Sequence, residues 1–121
     1  HMVGLGPFIP QKDTPFAGEK AGTLEDTLIL LPLVRLTLPK VLLPATTALG
    51  TIHPQGRELG ILAGANVVMP NLSPPAARDK YTLYDNKLCT GDEAAEHLAG
   101  LKQRLAAIGC TVAVHRGDFP D

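Results

Sequence analysis

The sequence predicts an α/β protein of consecutive β/α units with parallel strands, and three observations predict it. Short apolar runs recur at residues 3–9, 41–45 and 65–69, each with a proline at or near its end and a polar loop beyond. The segments between them carry helical apolar spacing. An apolar content of 45% and a net charge of -1 over 121 residues fit one ordinary globular domain.

Each element follows from local chemistry. Residues 3–9 read as a first strand and residues 10–22, with Gln11, Lys12, Asp13, Thr14 and Pro15, as a polar loop. Thr23 is a good N-cap, and Glu25 and Asp26 place acids where the helix dipole favours them. Leu24, Leu28, Leu31 and Leu38 then recur at helical spacing, while Pro32 predicts a kink or early break and Pro39 a stop. Residues 41–45 are apolar on both faces, as a buried parallel strand is. A loop over 46–55 leads to a helix over 56–63, which Gly64 caps.

Residues 65–69 form the third predicted strand, followed by a loop over 70–75 and a helical turn or two over 75–83 opened by Pro75. After an Asp85-Asn86 turn, Asp92 caps an amphipathic helix over 93–108. Its apolar face is Ala95, Leu98, Leu101, Leu105 and Ile108, and Gly109 is its C-cap. Residues 110–114 alternate like a short extra strand, and the tail from His115 is loop.

Three β/α units, a helix and a short strand amount to about half of an eight-unit TIM-type barrel, which normally needs roughly 250 residues. Strict alternation equally allows a small doubly wound sheet. The leading His1-Met2 reads as a cloning scar, which leaves residues 3–121 as the domain.

Composition excludes several functions. Eleven Lys plus Arg scattered among 12 acidic residues, with three Phe, two Tyr and no Trp, make no basic stripe for nucleic acid. The greasiest region, residues 28–44, is broken by Pro32, Arg35, Pro39, Lys40 and Pro44, so it falls short of the ~20 apolar residues of a membrane span. Cys89 and Cys110 form neither a C-x-x-C pair nor a dense disulfide pattern, which fits the cytoplasm.

In a barrel the chemistry lies where strands end, which nominates Pro7, Phe8, Ile9 and Pro10, then Thr46 and Thr47, then Met69, Pro70 and Asn71. The two threonines offer uncharged donors suited to holding a carboxylate or another anion; the plainer alternative is that they satisfy the loop backbone. Met69 and Asn71 suit a mixed pocket wall, with turn formation as the alternative for Asn71. Tyr81 and Tyr84 lie three apart and either face the same cavity or pack in the core. Arg57 and Glu58 either orient the threonine loop through an ion pair or stay solvated, the commoner outcome. His53, His97 and His115 lack metal-ligand spacing and read as solvated, and Gly4-Leu-Gly6 lacks the third glycine of a dinucleotide loop. No complete catalytic apparatus can be assembled; what the residues supply is a binding wall.

At Gly6-Pro-Phe-Ile-Pro-Gln-Lys-Asp-Thr-Pro15, Pro44-Ala-Thr-Thr-Ala-Leu-Gly-Thr51, Gly64-Ala-Asn-Val-Val-Met-Pro-Asn71 and Tyr81-Thr-Leu-Tyr-Asp-Asn-Lys-Leu-Cys89, with the closing Arg116-Gly-Asp118, the chain resembles radical S-adenosylmethionine enzymes of the biotin synthase group. The likeness extends over residues 2–121 and favours the branch that assists assembly of the FeFe-hydrogenase cluster. Biotin synthase and methylornithine synthase types are the enzymatic alternatives, and a stand-alone self-associating α/β binding module is the alternative of another class.

The resemblance implies the C-terminal half of a barrel whose N-terminal half carries a CxxxCxxC loop and a 4Fe-4S cluster. In such enzymes the cluster reduces S-adenosylmethionine to a 5′-deoxyadenosyl radical that acts on a small-molecule substrate. It implies that Thr46 and Thr47 hold an anionic substrate group, that Met69, Asn71, Tyr81 and Tyr84 wall the cavity, and that Phe8, Ile9 and Pro10 lie near the adenosyl part of the cofactor. The chain lacks the cluster loop and has no cysteine between residues 90 and 109. The expectation is therefore that it holds no cluster or cofactor alone, carries no second cluster, and is inactive without the missing N-terminal half-barrel. An open parallel sheet with a greasy face also predicts a homo-oligomer.

Overall fold

A computed structural model describes residues 1–70, 98–113 and 116–119. Four helices and two short strands are defined there: α1 (Leu24–Thr37), β1 (Pro44–Ala45), α2 (Thr47–Ile52), α3 (Gly56–Leu62), β2 (Val67–Val68) and α4 (Leu98–Ala107). β1 and β2 pair in parallel, with Pro44 opposite Val67 and Ala45 opposite Val68. On the other side of the β1 run a parallel bridge joins Met2 to Leu42, with Val3 N–H donating to the Leu42 carbonyl and Leu42 N–H to that of His1, both at 3.0 Å. All three segments therefore point their C-terminal ends the same way, as the predicted α/β class requires.

α1 starts where its cap chemistry dictates. Thr23 Oγ1 accepts the Asp26 N–H at 3.1 Å, and Glu25 and Asp26 occupy the first turn. The predicted break at Pro32 does not occur: the helix runs through it to Thr37. A proline inside a helix costs about 3 kcal/mol. Leu31 is fully buried and Leu24, Leu28 and Val34 pack on the same core, each contributing on the order of 1–3 kcal/mol, and together they outweigh that cost. The stop predicted at Pro39 comes two residues earlier, and Leu38 is the half-exposed C-cap rather than a core residue.

The core consists of Leu31, Val41, Leu43, Ala45, Leu49 and Ala65, so it lies between α1, the sheet and the α2–α3 pair. α3 meets α1, α2 and β1. It can do so because Gly60 presents no side chain: a Cβ there would lie 3.0 Å from Leu49 Cδ1 and 3.3 Å from Ala45 Cβ. Gly64 ends the helix at φ +116°, a conformation glycine adopts without strain, and Ala65 N–H closes back on the Gly60 carbonyl at 3.0 Å. Leu101 and Leu105 of α4 are also buried, and Gly109, at φ +78°, ends that helix as expected.

Four strand expectations are corrected. Residues 3–9 form no strand, the neighbouring pairing being the bridge at Met2; the second and third strands shrink to two residues each. The reason is that other groups take the ladder positions. The Leu43 N–H donates to the Asn66 side-chain oxygen at 2.8 Å, and the Val41 carbonyl accepts from Arg35 Nη1 at 2.8 Å. Residues 110–113 form no strand; the Cys110 N–H instead bonds back to the Leu105 carbonyl at 2.9 Å, extending the helix end. The expected loop over 46–55 contains α2, held by burial of Leu49 and by Thr51 Oγ1 donating to the Thr47 carbonyl at 3.1 Å. The helical turn expected over 75–83 and the start of the last helix lie outside the described residues. Among the described residues no helix is long and apolar enough to cross a membrane.

Arg35 ties this layer together. Its Nε donates to the Gly64 carbonyl at 2.9 Å and its Nη1 to the carbonyls of Pro39 and Val41, at 2.9 and 2.8 Å. Arg35→Met strands part-buried carbonyls and should cost more than about 2 kcal/mol. Lys102→Met, on the exposed side of α4, should stay within about 0.5 kcal/mol. Urea denaturation of both variants checks this, and equal losses would contradict the role given to Arg35.

Candidate functional site

The site is built at the C-terminal end of β1. Thr46 leaves the strand in extended backbone (φ -72°, ψ 158°) as the N-cap of α2, and Thr47 is the first helical residue. Thr46 Oγ1 makes no capping bond, is shielded from solvent, and has no hydrogen-bond partner among the described residues. The segment of Gly6 lies against it, so closely that a Cβ at Gly6 would sit 2.5 Å from that oxygen. Of the two readings of the threonines, satisfaction of the loop backbone thus fails for the Thr46 hydroxyl. A buried hydroxyl without a partner costs roughly 1–3 kcal/mol, which a ligand able to bond it would recover.

Thr47 is different. Its Oγ1 accepts from Arg57 Nη2 at 3.3 Å, and Arg57 is buried, 6% exposed. The expectation that Arg57 and Glu58 stay solvated is therefore corrected: both are buried where α3 packs on α2. Glu58 Oε1 pairs with Arg104 Nε of α4 at 3.0 Å, while its Oε2 is buried without a hydrogen-bond partner among the described residues.

The other predicted residues fall as follows. In the parallel register Met69 follows β2 as Thr46 follows β1, so the two leave the same end of the sheet; Met69 is half-exposed. Phe8 is 45% exposed and meets Phe16 edge-on, with ring centroids 6.4 Å apart. Its carbonyl accepts the Gly22 N–H at 2.8 Å, which pins the strand exit to the start of α1. Ile9 and Pro10 beside it are half-buried. Asn71, Tyr81 and Tyr84 lie outside the described residues, as do Cys89, His97 and His115. His53 Nδ1 accepts the Gln55 N–H at 3.1 Å in a local turn.

A separate cavity of about 670 Å³ opens between β2 and residues 110–113, lined by Met2, Leu42, Val67, Val68 and Val112 among others. Neither threonine nor Met69 borders it. Among the described residues no three His, Cys, Asp or Glu side chains converge to hold a metal ion. With only two cysteines, the chain does not fit a three-cysteine 4Fe-4S loop.

Sequence reasoning missed two parts of this site. Gly6 was legible only as a fragment of a glycine pattern, yet its role is to pack against Thr46. Arg57 was legible as a helix-opening charge; nothing in its spacing announced that it turns inward to Thr47.

Comparison with known proteins supplies the class. No protein-family model matches the chain. Its likeness to radical S-adenosylmethionine enzymes, read from its motifs, is nonetheless borne out by curated relatives. It is 53% identical over 108 residues, 89% of its length, to the [FeFe] hydrogenase maturase subunit HydE of Thermotoga maritima. It is 31% identical over 118 residues, 98% of its length, to a 3-methylornithine synthase of Methanosarcina barkeri, and 30% identical over 108 residues to that of Methanosarcina acetivorans. The chain covers 31%, 32% and 29% of these relatives, so it spans about a third of the length of the proteins it matches.

The two hydroxyls should respond oppositely to removal. Without ligand, Thr46→Val deletes an unpartnered buried oxygen and should leave stability unchanged or raise it by up to about 1 kcal/mol. Thr47→Val removes an acceptor from a buried guanidinium and should cost about 1–3 kcal/mol. Thermal unfolding of both variants checks the contrast, and a large loss from Thr46→Val would mean that the hydroxyl is bonded after all.

Proposed function

We propose that this chain is the C-terminal, substrate-cavity portion of a radical S-adenosylmethionine enzyme that assists assembly of the FeFe-hydrogenase active-site cluster. The observation that carries the reading is the 53% identity to HydE over 89% of the chain. The Thr46-Thr47 pair at the end of a parallel strand supports it. In this reading the described sheet is part of a TIM-type β/α barrel. Thr46 and Thr47 hold an anionic group of a small-molecule substrate, and Met69, with Asn71, Tyr81 and Tyr84, walls the cavity. Phe8, Ile9 and Pro10 border the adenosyl part of S-adenosylmethionine, and the protein works in the cytoplasm.

The 4Fe-4S cluster belongs to the N-terminal half-barrel that this reading assigns as the chain's partner, since the chain's own two cysteines cannot supply its loop. A second reading, an enzyme of the methylornithine synthase or biotin synthase type, is favoured by the match to 3-methylornithine synthase over 98% of the chain, at lower identity.

In isolation the chain should also self-associate, because α1 turns Ile29, Leu33 and Leu36 outward, 61%, 53% and 79% exposed, at a helical spacing that makes one apolar stripe.

One experiment addresses the whole proposal. The chain is first run by sedimentation velocity, where a dimer or larger species is expected and a clean monomer at high concentration contradicts self-association. It is then incubated anaerobically with iron and sulfide, alone and with a polypeptide carrying the CxxxCxxC half, and reductive cleavage of S-adenosylmethionine is assayed. Cleavage in the mixture only is the expected result. Cleavage by the chain alone overturns the assignment of the cluster, and silence in both favours a stand-alone binding module.

A further inference from the structure

We propose that Arg57 is a positioning residue that fixes the direction of the Thr47 hydroxyl, making it a committed donor to the anion; this rests on the reading of Thr46 and Thr47 as an anion-holding pair. A hydroxyl has one hydrogen and two lone pairs, and in an otherwise neutral loop it can turn either way. An anion needs the hydrogen. Arginine can only donate, so once Arg57 Nη2 occupies a lone pair of Thr47 Oγ1, at 3.3 Å, the hydroxyl hydrogen is free to point away from the guanidinium and toward the ligand.

Three features of the structure make this more than a chance contact. Arg57 is 6% exposed, so its guanidinium is held by packing rather than sweeping through solvent. It sits second in α3, and Thr47 sits first in α2, so two helices with a common packing surface set the distance. Its neighbour Glu58 pairs with Arg104 of α4 at 3.0 Å, so the turn that carries Arg57 is tied to a further helix. Thr46, with no partner for its hydroxyl, keeps the ability to turn toward a ligand, and Thr47 arrives already oriented. In this reading one unbonded and one oriented donor serve the same anion.

The inference predicts that Arg57 acts through Thr47 and not by touching the ligand. The test titrates acetate, as the simplest carboxylate, into the ¹⁵N-labelled chain and follows the Thr46 and Thr47 amide signals. Wild type, Thr47→Val, Arg57→Met, Arg57→Gln and the Arg57→Met/Thr47→Val double variant are compared, with folding of each checked by its spectrum. Thr47→Val and Arg57→Met should each weaken binding by about tenfold, the loss of one hydrogen bond to a charged group. The double variant should bind no more weakly than Thr47→Val alone. Arg57→Gln, which keeps an N–H donor without the charge, should recover most of the affinity.

Other outcomes separate the two readings. If Thr47→Val binds acetate like wild type, or wild type does not bind at all, the anion-holding pair is wrong and the inference falls with it. If Thr47→Val weakens binding but the Arg57 loss multiplies with it in the double variant, the pair stands and the positioning role is overturned. Failure of Arg57→Gln to recover binding overturns it too, because charge rather than hydroxyl direction would then be what matters.

Discussion

The described fold depends on one side chain that joins elements far apart in sequence. Arg35 leaves the last turn of α1 and donates to the carbonyls of Pro39, Val41 and Gly64, so the end of the helix, the approach to β1 and the end of α3 share one guanidinium. Carbonyls of such connecting segments have no ladder partner and would otherwise need water. With them satisfied, Val41, Leu43 and Ala45 can turn their side chains into the core against Leu31 and Leu49. Asn66 repeats the device on the other side of β1, its side chain accepting the Leu43 N–H while its own N–H donates to the Leu43 carbonyl at 2.8 Å.

This rigid layer is what delivers the threonines. β1 is two residues long, yet both are buried and paired, so Thr46 begins from a fixed point. Gly6 closes against its hydroxyl from one side, and α3 brings Arg57 to Thr47 from another. A fold that leaves one hydroxyl buried and unbonded accepts a local cost, and such costs collect where a ligand repays them. The chain's relatives, HydE and 3-methylornithine synthase among them, are what motivate the proposal of a ligand there.

Much of this was legible in the sequence because it is local. Thr23 with Glu25 and Asp26 announced the start of α1, and Gly64 and Gly109 announced two helix ends, since caps are decided within a few residues. What the sequence hid is long-range. Burial of Leu31 carries α1 through Pro32, and no local rule weighs a core against a proline. α2 is six residues of weak propensity held by the burial of Leu49. The strands are shorter than their apolar runs because Arg35 and Asn66 take the hydrogen bonds a longer ladder would use. In the site, the position of the threonine pair at the end of a strand was readable, whereas the inward turn of Arg57 is a property of packing alone.

The central claim is that the end of β1 is a place where an anion is held. The most direct measurement is a crystal structure of the chain grown with bromide, using the anomalous signal to locate the ion without assumption. A bromide within hydrogen-bond distance of both Thr46 Oγ1 and Thr47 Oγ1 is the predicted result. Bromide bound elsewhere on the protein, with the Thr46 hydroxyl still unbonded and the space before it closed, would contradict the account.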